Sequence, residues 1–441
     1  MGFLPGDTKL TTFAELGVRA RTLENLARQR LQTPTAVQEG ALPILIGGRD
    51  CVIQSPTGSG KTLAFLIPLS EKLGGHGTGA PRALIITPTR ELATQIGAVL
   101  NQLDPRLRVA LVYGGVGYGG QTNQLRTADV VIGCPGRLVD MAQRGAARLG
   151  AIEYLVLDEA DEMLDAGFAK DVESLTDRTN QRISSTKRQT VLASATMPEW
   201  VAKMARKHLV DPERIAVAPN EESDLEHGLV SVPRAQKVDF LSQLLKQSAS
   251  TIVFHRTKHG ARKLAHDLTV LGHATAELQG NLSQAARDRA IASFRRRESR
   301  VLVATNVAAR GIDVRDVTLV VNYELPDTAQ WLTHRVGRTA RNGAKGRALT
   351  FLCEDDGEKW RKLRRSGAPE LQFVDPSRLL TTGDMHFVAG SPDQAPRGQR
   401  QGQAPTRNFR PQGARSMPAG RSPRPWGHPA GRPQGRGSAK P

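Results

Sequence analysis

Short apolar runs rich in β-branched residues alternate along the chain with longer segments of helical periodicity. Most runs are bounded by Gly, Pro, Asp or Ser, and continuous runs of this kind are typical of parallel strands buried on both faces. Residues 260–271 and 284–294 are typical of helices. The predicted strands are residues 51–53, 83–86, 130–132, 154–157 and 190–193 in the first half, and 251–254, 301–304, 319–321 and 348–352 in the second.

This alternation predicts an α/β fold of two tandem domains, each a mostly parallel sheet flanked by helices. We expect the first domain at residues 1–210 and the second at residues 229–375. The polar, acidic segment 211–228 lacks apolar periodicity and predicts an extended linker that lets the two domains move. The sequence EKWRKLRR, residues 358–365, predicts a last helix on the second domain.

Residues 376–441 are predicted to form a low-complexity, disordered tail rich in Arg, Gly and Pro. From Ser391 onward the tail carries nine arginines and Lys440 against one acid, Asp393, which is half of the chain's net charge of +18. We expect a loose RNA tether, in which Phe409 and Trp426 stack on bases. A tail that serves only solubility is the alternative.

The charge of +18 predicts a polyanionic partner, and nucleic acid or an anionic membrane surface are the main candidates. A plain solubility charge is the third interpretation. No stretch approaches the roughly 20 apolar residues that span a bilayer, and the N-terminal residues lack a signal-peptide pattern. Cys51, Cys134 and Cys353 are widely spaced, which predicts reduced thiols in a cytoplasmic protein.

The sequence SPTGSGKT, residues 55–62, follows a predicted strand and precedes an apolar helix. A glycine-rich turn at a helix N-terminus points backbone N–H groups at a phosphate. Lys61 is expected to reach the β- and γ-phosphates of a nucleotide, and Thr62 to hold Mg²⁺ through its hydroxyl. A strand–helix turn without ligand is the alternative. The residues expected to line this phosphate site are Ser55, Thr57, Gly58, Ser59, Gly60, Lys61 and Thr62.

The tetrapeptide DEAD, residues 158–161, comes directly after the predicted strand 154–157. Carboxylates at the C-terminal end of a parallel strand face the crevice where ligands bind. Asp158 is expected to hold Mg²⁺, and Glu159 to orient and polarise an attacking water. Downstream, the arginines of HRVGRTAR, residues 334–341, suit the stabilisation of charge on a transferring phosphoryl group. Their alternative is a basic RNA-binding helix or a surface ion-pair cluster.

These motifs occur together with others in a fixed order along the chain. The others are PTAVQ at residues 34–38, PTREL at 88–92, GG at 114–115, PGR at 135–137, SAT at 194–196 and ATNVAARGID at 304–313. With this ordered set the chain resembles the DEAD-box ATP-dependent RNA helicases, of bacterial type, over residues 13–352, and the resemblance implies two RecA-like domains.

The resemblance implies roles for individual residues. Phe13 would pack on the adenine of ATP, Gln38 would hydrogen-bond its edge, and Asp313 would bind the ribose. Arg338 and Arg341 would be arginine fingers, and His334 would bridge to the DEAD carboxylates. Ser194, Ala195 and Thr196 would couple the ATP site to strand separation. RNA would contact Pro88, Thr89, Arg90, Gly115 and Arg137 on the first domain, and Gly280 and Thr305 on the second.

Four residues depart from the family's pattern. Leu31 stands where an aromatic residue is usual, Cys134 replaces a Thr, Gln279 replaces a His, and Asn306 replaces the commoner Asp. None of the four belongs to the phosphate-binding loop, residues 55–62, or to the DEAD carboxylates. We therefore expect the enzyme to be active, with an altered affinity for RNA.

The predicted function is RNA-stimulated ATP hydrolysis coupled to local, non-processive unwinding of short RNA duplexes or to remodelling of ribonucleoprotein. Three alternatives stay open: a DNA-translocating helicase, a non-catalytic RNA clamp, and a nucleotide-dependent motor that acts on protein. Sequence-tolerant RNA is the expected partner, with ribosomal or RNA-decay complexes as further candidates and no membrane.

Overall fold

The computed structural model describes residues 11–56, 58–74, 79–179, 188–217, 225–309, 312, 314, 317–340, 345–382, 385 and 387–388. Within these residues the chain builds two sheets with helices against their faces. The predicted tail from residue 389 onward lies outside the described residues.

The first of the two domains, called the first lobe below, contains a parallel sheet. Seven strands of this sheet are described, in the order β3-β4-β2-β5-β6-β1-β7. β1, β5 and β6 are neighbours in the middle of this sheet, so their carboxyl ends meet at one edge. The strands are β1 Cys51–Gln54, β2 Ala83–Ile86, β3 Val109–Val112, β4 Val130–Gly133, β5 Tyr154–Leu157, β6 Gln189–Ser194 and β7 Glu213–Ala216.

The second lobe contains a sheet in which eight strands are described, in the order β10-β11-β9-β12-β13-β8-β14-β15. All described pairs are parallel except the pairing of β14 with β15. The strands are β8 Leu225–Ser231, β9 Thr251–His255, β10 Thr275–Leu278, β11 Val301–Thr305, β12 Leu319–Asn322, β13 Gly346–Leu352, β14 Gln372–Val374 and β15 Phe387–Val388. The predicted tandem α/β fold is therefore confirmed.

The helices follow the strands along the chain, as expected for parallel sheets that need crossover connections. The predicted helices at 260–271, 284–294 and 358–365 are confirmed as α11, α12 and α15. The described helices are α1 Ala20–Arg28, α2 Ala36–Ile46, α3 Lys61–Leu73, α4 Arg90–Leu103, α5 Tyr118–Leu125, α6 Pro135–Gln143, α7 Ala160–Asp165, α8 Ala169–Thr179, α9 Glu199–His208, α10 Lys237–Leu245, α11 Lys258–Val270, α12 Gln284–Arg295, α13 Asn306–Ala309, α14 Ala329–Val336, α15 Gly357–Arg365 and α16 Pro376–Thr382.

The central strands are buried on both faces, which explains their continuous apolar runs. In β1, Cys51 and Ile53 belong to one apolar cluster while Val52 belongs to the cluster on the opposite face. Successive side chains of a strand point to opposite faces, so one short strand joins two layers of helices. In β1, β9, β11 and β12 the polar side chains lie only at the strand ends, and the site forms at the carboxyl ends.

Strands at or near the sheet edges were not predicted. β3, β7 and β10 have exposed or half-exposed side chains along their length, so they lack the continuous apolar signature of the central strands. β7 and the first residues of β8 lie within the segment 211–228 that the sequence suggested as a linker. The linker is therefore shorter than predicted, because β7 pairs with β1 in the first sheet and β8 with β13 in the second.

The predicted tail also begins too early at residue 376. The structure places the helix α16 and the strand β15 after that residue, and Leu379 and Met385 are buried in the second lobe's core. Isolated apolar side chains in a polar stretch carry these contacts, and they give no periodic signal. None of the described helices is both long enough and apolar enough to cross a membrane.

Candidate active site

The loop after β1 is shaped by two glycines in the left-handed conformation. Gly58 has φ +88° and Gly60 has φ +97°, a region that favours glycine. Gly60 is the N-cap of α3, so Lys61 and Thr62 occupy the first turn of a helix whose N-terminal amides face the loop. This geometry is typical of a phosphate-binding site. Thr57 lies outside the described residues.

The ammonium group of Lys61 is folded back onto this loop. Its Nζ donates to the carbonyl oxygens of Ser55 at 2.6 Å and Pro56 at 2.7 Å, and the side chain is buried. Carbonyl oxygens are weaker partners for a cation than phosphate oxygens. Phosphate oxygens of a nucleotide bound at this loop could therefore replace the two carbonyl oxygens as partners of Lys61.

The side chain of Gln38, on α2, hydrogen-bonds to the same loop. Its Nε2 donates to the carbonyl of Gly60 at 3.1 Å, and its Oε1 accepts from the backbone N–H of Thr35 at 3.0 Å. Thr35 Oγ1 donates to the carbonyl of Ser59 at 2.8 Å. A Cβ on Gly60 would lie 2.6 Å from Gln38 Nε2. The sequence did not predict these hydrogen bonds between α2 and the phosphate loop. The contact of Gln38 with adenine stays a prediction.

Phe13 lies in the apolar core of the first lobe, with 4% of its surface exposed. Leu31, which stands where an aromatic residue is usual, is partly buried against the same core. The structure thus gives Phe13 a packing role, and its stacking on adenine stays a prediction. Asp313, the expected ribose contact, lies outside the described residues.

Asp158 and Glu159 follow β5 at the carboxyl edge of the sheet. Glu159 has φ +50°, an unusual conformation for a residue with a side chain, and its N–H donates to Asp158 Oδ1 at 3.0 Å. Burial raises the pKa of both carboxyls, and the negative charges beside them raise it further. In the part of the chain that the structure describes, Glu159 Oε2 is buried without a hydrogen-bond partner. A cation and a water would satisfy both groups.

The SAT segment at the end of β6 is bonded directly to the DEAD segment. Thr196 donates to Asp161 Oδ2 through its N–H at 2.8 Å and its Oγ1 at 2.7 Å. Asp161 in turn donates its N–H to Ser194 Oγ at 3.3 Å. Ser55 N–H donates to the Ser194 carbonyl at 3.1 Å, so the phosphate loop, the carboxylates and residues 194–196 form one connected unit.

The second lobe brings basic side chains to this unit from α14 and the loop after it. His334 Nε2 lies 3.8 Å from Asp161 Oδ2, and His334 Nδ1 lies 3.3 Å from Glu162 Oε1. Arg338 Nη2 lies 3.9 Å from the same Glu162 oxygen. Gln330 Nε2 donates to Thr196 Oγ1 at 3.0 Å. The structure therefore brings His334 and Arg338 together with the DEAD segment, while Arg341 lies outside the described residues.

The residues expected to contact RNA on the first lobe lie on three neighbouring loops. Arg90 packs over Gly115, where a Cβ would lie 2.2 Å from Arg90 Nη1. Thr89 caps α4 by accepting from Leu92 N–H at 3.2 Å. Arg137 donates to the carbonyl of Val116 at 3.1 Å. Pro88, between β2 and α4, is buried.

On the second lobe, Thr305 ends β11 and is 5% exposed. Gly280 lies against the side chain of Lys258, whose Cε would be 3.0 Å from an added Cβ. The neighbouring Gln279, which replaces a usual His, is buried and accepts from Asn281 N–H at 2.6 Å. Cys134 is a buried thiol before α6, and burial raises its pKa to about 12.

Sequence reasoning missed a second contact between the lobes. Arg287 of α12 donates from Nη2 and Nε to Glu91 Oε1 at 2.6 and 2.8 Å, and Arg90 Nη1 donates to Gln284 Oε1 at 2.8 Å. Glu91 stands within the PTREL motif, but its partner lies 196 residues away and no local pattern connects them.

The chain matches two protein-family models. Residues 35–204 match the model of the DEAD/DEAH box helicases, and residues 236–343 match the helicase conserved C-terminal domain. The first match spans the phosphate loop, the DEAD segment and the SAT segment. The second covers α14 and the loop that brings in Arg338.

Relatives and a solved structure agree with these matches. The chain is 39% identical over 368 residues to the RNA helicase CrhR of Synechocystis sp., covering 82% of this chain and 73% of the relative. It is 36% identical over 402 residues to the chloroplastic DEAD-box ATP-dependent RNA helicase 3A of Zea mays, covering 87% of this chain but only 53% of that relative. The structure of S. cerevisiae Dbp5 bound to RNA and ADP BeF3 superposes with a TM-score of 0.74 at 31% identity, covering 83% of this chain and 96% of that one. The chain belongs to the family of DEAD-box ATP-dependent RNA helicases.

Proposed function

We propose that this protein couples RNA-stimulated ATP hydrolysis to local, non-processive separation of short RNA duplexes or to remodelling of ribonucleoprotein. The observation that carries the proposal is the approach of His334 and Arg338 to the DEAD segment of the other lobe. These basic groups reach the nucleotide pocket only when the two lobes are in contact. The rate of ATP turnover should therefore depend on any ligand that favours contact between the lobes. RNA bound across both lobes would supply this dependence.

In the proposed cycle, Lys61 leaves the carbonyls of Ser55 and Pro56 and binds the β- and γ-phosphates of ATP. Glu159 holds the attacking water through the oxygen that has no partner in the described structure. Arg338, with Arg341, stabilises the charge that develops on the transferred phosphoryl group. Thr196 and Ser194 couple nucleotide binding to strand separation, because both are hydrogen-bonded to Asp161 of the DEAD segment.

Mg²⁺ fits the proposed pocket beside Thr62 and Asp158. Burial and, after it, repulsion from Glu159 raise the pKa of Asp158, and a divalent cation would favour the ionised carboxylate. The described residues contain no cluster of three or more His, Cys, Asp or Glu that could hold a metal alone. That agrees with an ion bound by one or two protein groups together with phosphates. When bound, the ion neutralises charge on the β- and γ-phosphates.

RNA is the proposed partner, gripped by Thr89, Arg90, Gly115 and Arg137 on one lobe and by Gly280 and Thr305 on the other. The solved structure of S. cerevisiae Dbp5 bound to RNA and ADP BeF3 supports this assignment. Contacts to sugar and phosphate make binding tolerant of sequence and sensitive to salt. Ribosomal or RNA-decay complexes in the cytoplasm are the proposed setting, and crosslinking with sequencing of bound RNA in cells tests it.

The test of the function compares ATP turnover of the full chain with no nucleic acid, with single-stranded RNA and with single-stranded DNA. We expect strong stimulation by RNA, weak stimulation by DNA, and release of a short RNA strand from a duplex only with ATP. Equal stimulation by DNA would favour a translocating DNA helicase. ATP-dependent RNA binding without turnover would indicate a non-catalytic clamp.

A further inference from the structure

Arg335 is a buried cation in the second lobe whose partners are all neutral. Only 1% of its surface is exposed. Its Nε donates to Asn306 Oδ1 at 2.6 Å, and its Nη1 donates to Asn322 Oδ1 at 3.1 Å and to the carbonyl of Glu324 at 2.8 Å. Its Nη2 has no hydrogen-bond partner in the part of the chain that the structure describes.

The guanidinium group lies over the carboxyl ends of three adjacent strands. Asn306 follows β11, Asn322 ends β12, and Phe254 lies in β9 between them, with its ring centroid 5.1 Å from the guanidinium carbon. Burial lowers the pKa of Arg335 to about 9, so the group stays charged at neutral pH. Among the described residues of the second lobe, none forms an ion pair with Arg335, and a buried charge of this kind costs free energy unless an anion comes close.

The acidic side chains nearest to Arg335 within its own lobe are engaged elsewhere. The carboxylate of Glu324 accepts from Arg256 N–H at 3.0 Å and lies 3.2 Å from His255 Nδ1. Asp327 accepts from Lys359 Nζ at 3.1 Å. Neither carboxylate contacts the Arg335 guanidinium in the described structure.

The first lobe places negatively charged side chains beside Arg335. A cavity of about 10 Å³ is lined by Arg335, Asn306, His334 and Arg338 from the second lobe and by Glu162 from the first. Glu162, Asp161 and Asp158 are all buried on the first lobe. Closure thus places an excess of buried cations against an excess of buried carboxylates, next to the site proposed for the nucleotide's phosphates.

We propose that Asn306 is a positioning residue that keeps Arg335 unpaired within its own lobe, so that this charge favours lobe closure on the anionic nucleotide and the DEAD segment. The inference rests on the proposed function. An Asp at position 306 would lie within hydrogen-bond distance of Arg335 Nε and form an internal ion pair. The second lobe would then present one less net positive charge to the cleft.

The test measures binding of Mg²⁺–AMP-PNP with single-stranded RNA, and closure by energy transfer between one dye on each lobe of the full chain. For Asn306→Asp we expect about tenfold weaker AMP-PNP binding, a coupling of ordinary size between a charge and a conformational equilibrium. The KM for ATP should rise with it while kcat at saturation changes less than threefold. Asn322→Asp, which places a carboxylate on the other side of Arg335, should shift binding in the same direction.

Asn306→Leu is the matched control, since it removes the same hydrogen bond without adding charge. We expect it to weaken AMP-PNP binding by less than threefold. Equal losses for Asn306→Leu and Asn306→Asp would overturn the proposal, and so would unchanged AMP-PNP binding in both aspartate variants. AMP-PNP binding and lobe closure are measured without ATP hydrolysis. A wild-type protein that does not hydrolyse ATP would contradict the proposed function, and it would leave these two measurements interpretable.

Discussion

Arg287 of the second lobe donates twice to Glu91 Oε1 of the first, and the two side chains are only 13% and 10% exposed. The lobes are therefore joined by this ion pair as well as by the contacts of His334 and Arg338 at the nucleotide site. Separation of the lobes would return both charges to water, so the pair bears on closure more than on the folding of either lobe.

Removing one member of this pair should weaken closure. We expect Glu91→Gln and Arg287→Gln each to reduce RNA-stimulated kcat/KM about tenfold, because one buried charge is left without its partner. The double variant should be no worse than either single variant, which is the signature of a direct pair. Arg206→Gln, at an exposed ion pair with Glu199, should stay close to wild type. Additive losses in the double variant would contradict this role.

The conformation of Gly60 should be essential for nucleotide binding. In Gly60→Ala, a Cβ would meet Gln38 and Thr35 at 2.6 and 2.8 Å, and a φ of +97° adds strain of about 1–3 kcal/mol. We expect ATP binding to fall by at least a hundredfold, as measured by titration calorimetry.

Gly74→Ala is the matched control for that variant. Gly74 also has positive φ, but an added Cβ there meets nothing within 4 Å. It should lower the free energy of unfolding by about 1 kcal/mol and leave ATP binding intact. Loss of ATP binding in both variants would point to general damage of α3 rather than to the phosphate loop.

Glu159→Gln should keep ATP and RNA binding but stop turnover, because the amide cannot polarise the attacking water as a carboxylate does. The arrested enzyme should accumulate in the closed state, seen as slow release of RNA in the presence of ATP. Normal hydrolysis by this variant would show that the assigned role of Glu159 is wrong.

Stability without nucleotide should fall as pH rises through the range in which the DEAD carboxyls ionise. Burial raises the pKa of Asp158 and Glu159, so between the ordinary carboxyl range and the raised values the folded chain holds more protons than the unfolded chain. We expect the double variant Asp158→Asn/Glu159→Gln to lose less stability over this range than wild type. Urea unfolding at a series of pH values measures the difference, and parallel curves would refute the shift.

Deletion of residues 391–441 should weaken RNA binding and flatten its dependence on salt, since nine arginines are removed. Turnover at saturating RNA should change little. Unaltered RNA affinity in the truncated chain would leave the tail only a solubilising role.

The central strands were predictable from sequence because burial on both faces leaves a continuous apolar run, as in β2, β4 and β5. The edge strand β3 was not, because its half-exposed side chains carry no comparable pattern. Likewise the placement of the phosphate loop and the DEAD segment at one edge of the sheet followed from motifs at the carboxyl ends of the central strands β1 and β5. The Glu91–Arg287 pair and the neutral hydrogen-bond partners of Arg335 depend on tertiary contacts, which no local pattern encodes.

The hydrogen bonds of Lys61 within the phosphate loop bear on which anions that loop binds. To reach a phosphate, this side chain gives up its hydrogen bonds to two carbonyl oxygens, and one free phosphate ion would make fewer contacts with the loop than a nucleotide does. A nucleoside triphosphate makes many contacts at once and offsets that loss easily. We therefore expect the loop to bind a nucleoside triphosphate in preference to a small anion such as free phosphate.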